Sequence, residues 1–207
     1  MTDQPTERAS WEPVATQMKA LTNTVLWADL PAEDIQHVAD TLAEVNRYLD
    51  ERAGPEPALA TTFTSGRPVR DQVAHNFRRR SLVSSPEHPF SPPLNFEVDD
   101  EGNATGHVRL SRAFQGPPGR CHGGYVAVLL DHIFGATGAW TMPGPFFTKA
   151  LEVVYDAGVP LLVDLVVTSR VDRIEGRKAF VTGEITADGQ VCARGNAVLV
   201  MPKEFVS

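Results

Sequence analysis

The sequence predicts an α+β protein in which a six-stranded antiparallel sheet wraps one long buried helix, preceded by a helical extension. Three observations predict it. Tyr125–Trp140 is apolar on nearly every face, which marks a helix enclosed by protein. Six strand-like runs flank that helix, two before it and four after. Short reversals at Glu175-Gly176 and Asp188-Gly189 join the last three runs into an antiparallel meander.

The elements follow in order along 207 residues, with expected divisions at 1–54, 55–88 and 89–207. Residues 1–10 lack the pattern of any regular element. Val14, Met18, Leu21 and Val25 keep one helical stripe, with Ser10 as a cap and Pro13 in the first turn. After Leu30-Pro31, Ile35, Val38, Leu42, Val45 and Leu49 repeat at steps of three and four and stop before Gly54-Pro55. The expectation is a helical hairpin that packs on the main domain or on another subunit. Residues 55–88 form an irregular connecting segment, rich in Pro and Arg, that holds Arg67, Arg70, Arg78, Arg79 and Arg80. That basic excess could meet phosphates, or it could be a solvated loop.

Strands are expected over Leu94–Val98 and Ala104–Ser111, around the turn-forming Asp99-Asp-Glu-Gly-Asn103. The central helix begins near Gly123, after Pro117 and Pro118, and ends at Met142-Pro-Gly-Pro145. Thr148–Asp156, Leu161–Asp172, Lys178–Ala187 and Gln190–Met201 complete the sheet.

With 42% hydrophobic and 22% charged residues, the composition is that of an ordinary globular protein. A net charge of -7 argues against nucleic-acid binding, and no apolar run reaches membrane-spanning length. The polar start predicts no secretory signal, and Cys121 and Cys192 fit reduced thiols, so a cytoplasmic protein is expected. Cys121 beside His122 is a filler rather than half of a dyad, because sequence neighbours rarely present that geometry.

One constellation carries chemistry. Gly124, Ala127, Asp131, Gly135 and Gly138 share a helix face, so a carboxylate sits among small residues that allow close approach. Gly123 and Gly124 put backbone N–H groups at the positive end of the helix dipole, a place for a developing oxyanion. An acid on a buried helix and an N–H trap at its start are the parts needed to hydrolyse an acyl group. The plainer reading is a buried acid satisfied by a hydroxyl or an Arg, with the glycines serving packing. The pattern alone leaves both open.

His122-Gly-Gly followed by an apolar helix with an acid nine positions after the His resembles the hotdog-fold acyl-CoA thioesterases of the phenylacetate type, in the 4-hydroxybenzoyl-CoA thioesterase superfamily. Thr148-Lys-Ala-Leu-Glu-Val-Val-Tyr155 resembles that family's strand after the helix, and Pro89–Val98 its first strand, so the resemblance spans roughly residues 89–202. It implies a hotdog domain over 89–207 that cleaves an acyl-CoA to free acid and CoA, with neither metal nor organic cofactor. By position, Asp131 would be the nucleophile or the general base, and the N–H of Gly123 the oxyanion donor, with Gly124 beside it. His122 would orient the loop, and Thr148 would position the attacking water. Relatives often carry Asn or Gln six residues before the His to hold the thioester carbonyl; Gln115 lies one residue further away, with Gly at 116. Arg78, Arg79 and Arg80 would hold the CoA phosphates. His132 reads as a satisfied core or interface histidine.

Gly123 and Asp131 are eight residues apart, about 12 Å along a helix, too far for one carbonyl to touch both. A homodimer or dimer of dimers with shared sites is therefore expected, as the resembling family builds them. The competing reading is a non-catalytic acyl-CoA or lipid binder of the same fold. A hotdog dehydratase is disfavoured by His122-Gly-Gly.

Overall fold

The computed structural model describes residues 10–55 and 81–205. Two helices come first, α1 (Glu12–Val25) and α2 (Ala32–Asp50). The remainder is β1 (Asn95–Val98), β2 (Ala104–Arg109), a 3-10 turn (Arg112–Phe114), α3 (Gly123–Thr141), β3 (Phe147–Tyr155), β4 (Asp164–Glu175), β5 (Lys178–Ala187) and β6 (Gln190–Val200). The strands form one antiparallel sheet in the order β1-β2-β4-β5-β6-β3. This is the hotdog arrangement, with α3 lying along the concave face.

Packing follows from the composition of α3. Leu129, Leu130, Ile133 and Phe134 are fully buried and meet Leu165, Val167, Ile185, Ala193 and Leu199 from the sheet. The sheet closes tightly at Phe134. Gly183 of β5 and Gly195 of β6 pair directly; a Cβ on Gly183 would collide with the Thr168 carbonyl and lie 2.8 Å from the Phe134 ring, and one on Gly195 would lie 3.0 Å from that ring. Glycine is used there for close approach, so the ring fills a hollow that two side chains would otherwise occupy. A buried hydroxyl pair, Thr137 and Ser169 at 2.6 Å, ties α3 to β4, and each satisfies the other.

The chain reverses where the sequence predicts. Asp188 and Gly189 both have positive φ (49° and 77°), the twist a two-residue hairpin requires. Several boundaries move. β2 stops at Arg109, because Leu110 leaves the ladder and its carbonyl accepts from Leu162 N–H at 2.9 Å. β4 starts at Asp164 because Leu162 has φ 62°, outside extended backbone. Ser10 accepts from Glu12 N–H, but the residue at the cap position of α1 is Trp11.

Packing of the N-terminal helices on the main domain or on another subunit is the expectation; among the described residues the main domain covers little of either helix. α1 buries only Ala15, beside the Arg112–Phe114 turn, while Lys19 Nζ donates to Pro86 O at 3.0 Å. α2 buries no residue at all. Both stripes are largely exposed, with only Leu21, Val38 and Leu49 half-buried.

Candidate active site at the start of α3

The turn before α3 is built to hold His122. Gln115 and Cys121 form an isolated bridge, and His122 N–H donates to Phe114 O at 2.8 Å. Gly119 takes φ 71° to close the reversal. At Gly116 a Cβ would lie 2.8 Å from His122 Cα, so only glycine lets the two arms of the turn come together. Gln115 Oε1 accepts from Gly119 N–H at 3.2 Å. The side chain expected to hold a thioester carbonyl thus braces the turn with its oxygen, which leaves its amide nitrogen as the only donor to offer.

His122 is the N-cap of α3, in extended backbone (φ -62°, ψ 131°), and its Nδ1 accepts from Gly124 N–H at 3.0 Å. An accepting Nδ1 carries its proton on Nε2 when the ring is neutral. Of the two N–H groups expected to be bare, Gly124's is therefore occupied. Gly123 N–H has no hydrogen-bond partner among the described residues. Its carbonyl accepts from Tyr155 Oη at 2.9 Å, which pins the end of β3 to the start of α3.

Asp131 lies two turns further on, half-buried, with His132 beside it. Its Oδ1 is out of contact with solvent and has no hydrogen-bond partner among the described residues. A carboxylate oxygen in that state costs several kcal/mol unless something else supplies a donor. Neither the hydroxyl nor the Arg of the plainer reading is supplied by the described chain. Burial pushes the His132 imidazole down to about 4, with the Asp131 carboxylate acting in the opposite direction. The His132 ring stands edge-on to Phe96 at 5.8 Å.

Thr148 is exposed on β3, and a bulge decides which way it faces. Thr148 pairs with Leu199 and Ala150 with Val198, leaving Lys149 as the extra residue. Leu199 is buried against α3, and directly opposed residues of an antiparallel pair share a face. Thr148 therefore lies on the helix side with Leu151, Val153 and Tyr155, although seven residues separate it from Tyr155. Strict alternation would have placed it outside.

The thiol of Cys121 is buried, and desolvation raises it to about 11, so it does not serve as a nucleophile near neutrality. Tyr125, which packs on Phe114 at 4.3 Å, has a buried hydroxyl without a partner among the described residues, and burial pushes its pKa well above that of an ordinary phenol. Sequence reasoning missed this group; a Tyr in an apolar helical run reads as core. Arg78, Arg79 and Arg80 lie outside the described residues. Among the described residues no three His, Cys, Asp or Glu side chains come together as a metal site, and no helix is long and apolar enough to cross a membrane.

Comparison with known proteins shows what the chain is similar to. Residues 118–193 match the family model of the thioesterase superfamily. Acyl-coenzyme A thioesterase THEM4 of Xenopus laevis is 41% identical over 71 residues, which are 34% of this chain and 32% of that protein. The match thus spans about a third of the length of these curated relatives. A crystal structure of a thioesterase superfamily protein superposes with a TM-score of 0.79 at 29% identity, covering 96% of this chain and 94% of that one. A Streptococcus mutans protein solved bound to acetyl-CoA has a TM-score of 0.50 at 18% identity over 53% of this chain and 88% of its own, a likeness of fold alone.

Proposed function

From the match of residues 118–193 to the thioesterase superfamily model, we propose that this protein is a member of that superfamily and hydrolyses an acyl-CoA thioester to the free acid and CoA. The observation that carries the reading is the buried, unpartnered Oδ1 of Asp131 on the helix that begins at His122-Gly-Gly. A carboxylate kept without a partner is available to one that arrives with substrate.

In the general-base form, Asp131 takes a proton from water as the water oxygen bonds to the thioester carbon. The carbonyl oxygen becomes an oxyanion that Gly123 N–H receives. Collapse breaks the C–S bond, and the leaving thiolate takes the proton back from Asp131. In the nucleophilic form, Asp131 itself bonds to the carbon, CoA leaves, and water cleaves the mixed anhydride. Thr148, on the helix side of β3, would position the water, and His122 holds the loop that presents Gly123. Gly124 offers bare backbone rather than an N–H, and Gln115 only its amide nitrogen. Arg78, Arg79 and Arg80 would meet the CoA phosphates.

The site is proposed to be shared between two copies. About 12 Å of helix separates Gly123 from Asp131 in one chain. β3 runs nine residues along the sheet edge and pairs only with β6 among the described strands. A long open edge of that kind is usually covered, and a second copy's β3 would cover it while bringing one α3 start beside the other chain's Asp131.

The test makes Asp131→Ala and Gly123→Pro separately. Gly123 is the first helical residue, its φ is not positive, and His122 already holds the extended ψ that precedes proline, so the second change removes the N–H with little disturbance. Each homodimer should be nearly inactive toward a panel of acyl-CoAs in a thiol-release assay. Co-expressed chains should recover roughly a quarter of wild-type activity, since half the dimers are mixed and each has one intact site. No recovery in verified mixed dimers would end the shared site. A wild-type protein that binds acyl-CoA without turnover would favour the non-catalytic reading.

A further inference from the structure

We infer that the apolar stripe of α2 is a pairing seam for α2 of a second copy of this chain, arranged antiparallel. Ile35, Val38, Leu42, Val45 and Leu49 repeat at alternating steps of three and four, so they fill successive a and d positions of a heptad without a polar interruption. Among the described residues the helix fully buries none of them: Ile35 is 57% exposed, Leu42 40% and Val45 49%, with Val38 and Leu49 half-buried. Such a row is too long and too regular to be scattered surface apolar residues.

Charge selects the occupant. Glu33, Asp34, Asp40, Glu44 and Asp50 stand against Arg47 alone on this helix. That excess of acid repels the anionic lipid surface that a basic amphipathic helix would seek. Ala39, Thr41, Asn46 and Tyr48, which flank the seam, are uncharged, and Asp34 is the sole charged flank. The remaining charges lie on the outward positions. Coiled coils choose a different partner through charges at the flanks; this seam has almost no such code and does not exclude itself.

The ends of the helix decide direction. Glu33 and Asp34 occupy its first turn, while Arg47 and Arg52 lie at its other end beside Asp50 and Glu51. Parallel pairing would bring two acidic first turns together. Antiparallel pairing sets each acidic end beside the near-neutral end that holds the cations. Fewer than three heptads bury less than the roughly 1,200 Å² of a stable interface, so the seam acts together with contacts made elsewhere in the assembly. It does not depend on the catalytic reading.

The experiment uses the full chain with Thr41→Cys. Position 41 flanks the middle of the seam, where an antiparallel pair brings the two copies' residues together and a parallel pair does not. The native Cys121 and Cys192 are buried and stay silent. Mild oxidation should give a covalent dimer, and adding Leu42→Glu and Val45→Glu should abolish it and weaken association at least tenfold by sedimentation. The melting temperature of the main domain should hold, because α2 buries nothing there. Failure of the Thr41→Cys chain to cross-link, or cross-linking that persists with both glutamates, overturns the proposal. Flotation of the wild-type chain with phosphatidylserine vesicles, lost on Leu42→Glu, also overturns it by putting lipid on the stripe.

Discussion

Gly124, Ala127 and Asp131 in the first half of α3, and Gly135 and Gly138 in the second, lie on one face of the helix and read as a single pattern of small residues. The structure fills the two halves differently. In the second half the space is taken: a Cβ on Gly138 would lie 2.5 Å from Leu199 and 2.8 Å from Phe146. In the first half, a Cβ on Gly124 would meet only the His122 ring, and the Asp131 oxygen faces no donor among the described residues. The same spacing therefore serves packing at one end and holds a buried carboxylate oxygen with no donor among the described residues at the other. What separates them is whether another element of the chain reaches the helix.

Substitutions in each half of α3 test that contrast. The largest effect is expected at Asp131→Asn, which keeps the shape and removes the base. Turnover of acyl-CoA should fall by at least about 100-fold. Thermal stability should hold or rise, because a neutral amide replaces a carboxylate whose buried Oδ1 has no partner among the described residues. A stable variant with near-normal turnover would return Asp131 to the packing half of the comparison.

Acid titration reads the same region. His132 has a folded value of about 4 against an ordinary 6.5, so the unfolded chain binds a proton first. Its contribution is present above pH 6.5, is lost as pH falls through that value, and levels off below about 4. The total is about 3 kcal/mol, measured by denaturant unfolding across that range. His132→Leu should flatten this part of the profile. Asp131→Asn should carry the decline to lower pH, since the carboxylate is what raises the imidazole. An unchanged profile in both variants would show that the pair does not interact.

Gly138→Ala tests the filled half. The added methyl must displace Leu199 or Phe146, at a cost of roughly 1–3 kcal/mol in unfolding free energy, with turnover per folded site retained. A neutral result would mean that the second half is as open as the first. Tyr155→Phe should have the smallest effect on stability, about 1 kcal/mol or less, because its hydroxyl bond to Gly123 O is exposed. If that bond positions the N–H of Gly123, kcat should fall while KM holds.

The architecture was legible because it rests on local periodicity. The apolar run of α3, the alternation in β4 and the φ-demanding Asp188-Gly189 turn are written in neighbouring residues; all three form, with β4 shifted three residues along the chain. His122-Gly-Gly and Asp131 were legible as a pair for a related reason, since a helix fixes their relative placement through sequence distance alone. The hydrophobic stripe of α2 was equally plain, but a stripe says only that a face is apolar and not whether the main domain or another subunit covers it; among the described residues α2 buries nothing.

Tertiary structure decided what depends on residues distant in sequence or on one inserted residue. That His122 takes Gly124 N–H and leaves Gly123's follows from the turn geometry that seats the cap. The face of Thr148 follows from a bulge at Lys149, set by pairing with β6 some fifty residues later. The Thr137–Ser169 bond and the hollow that Gly183 and Gly195 make for Phe134 need three separate elements to meet. Periodicity is a property of a segment, whereas register and contact are properties of pairs of segments, and only folding brings those pairs together.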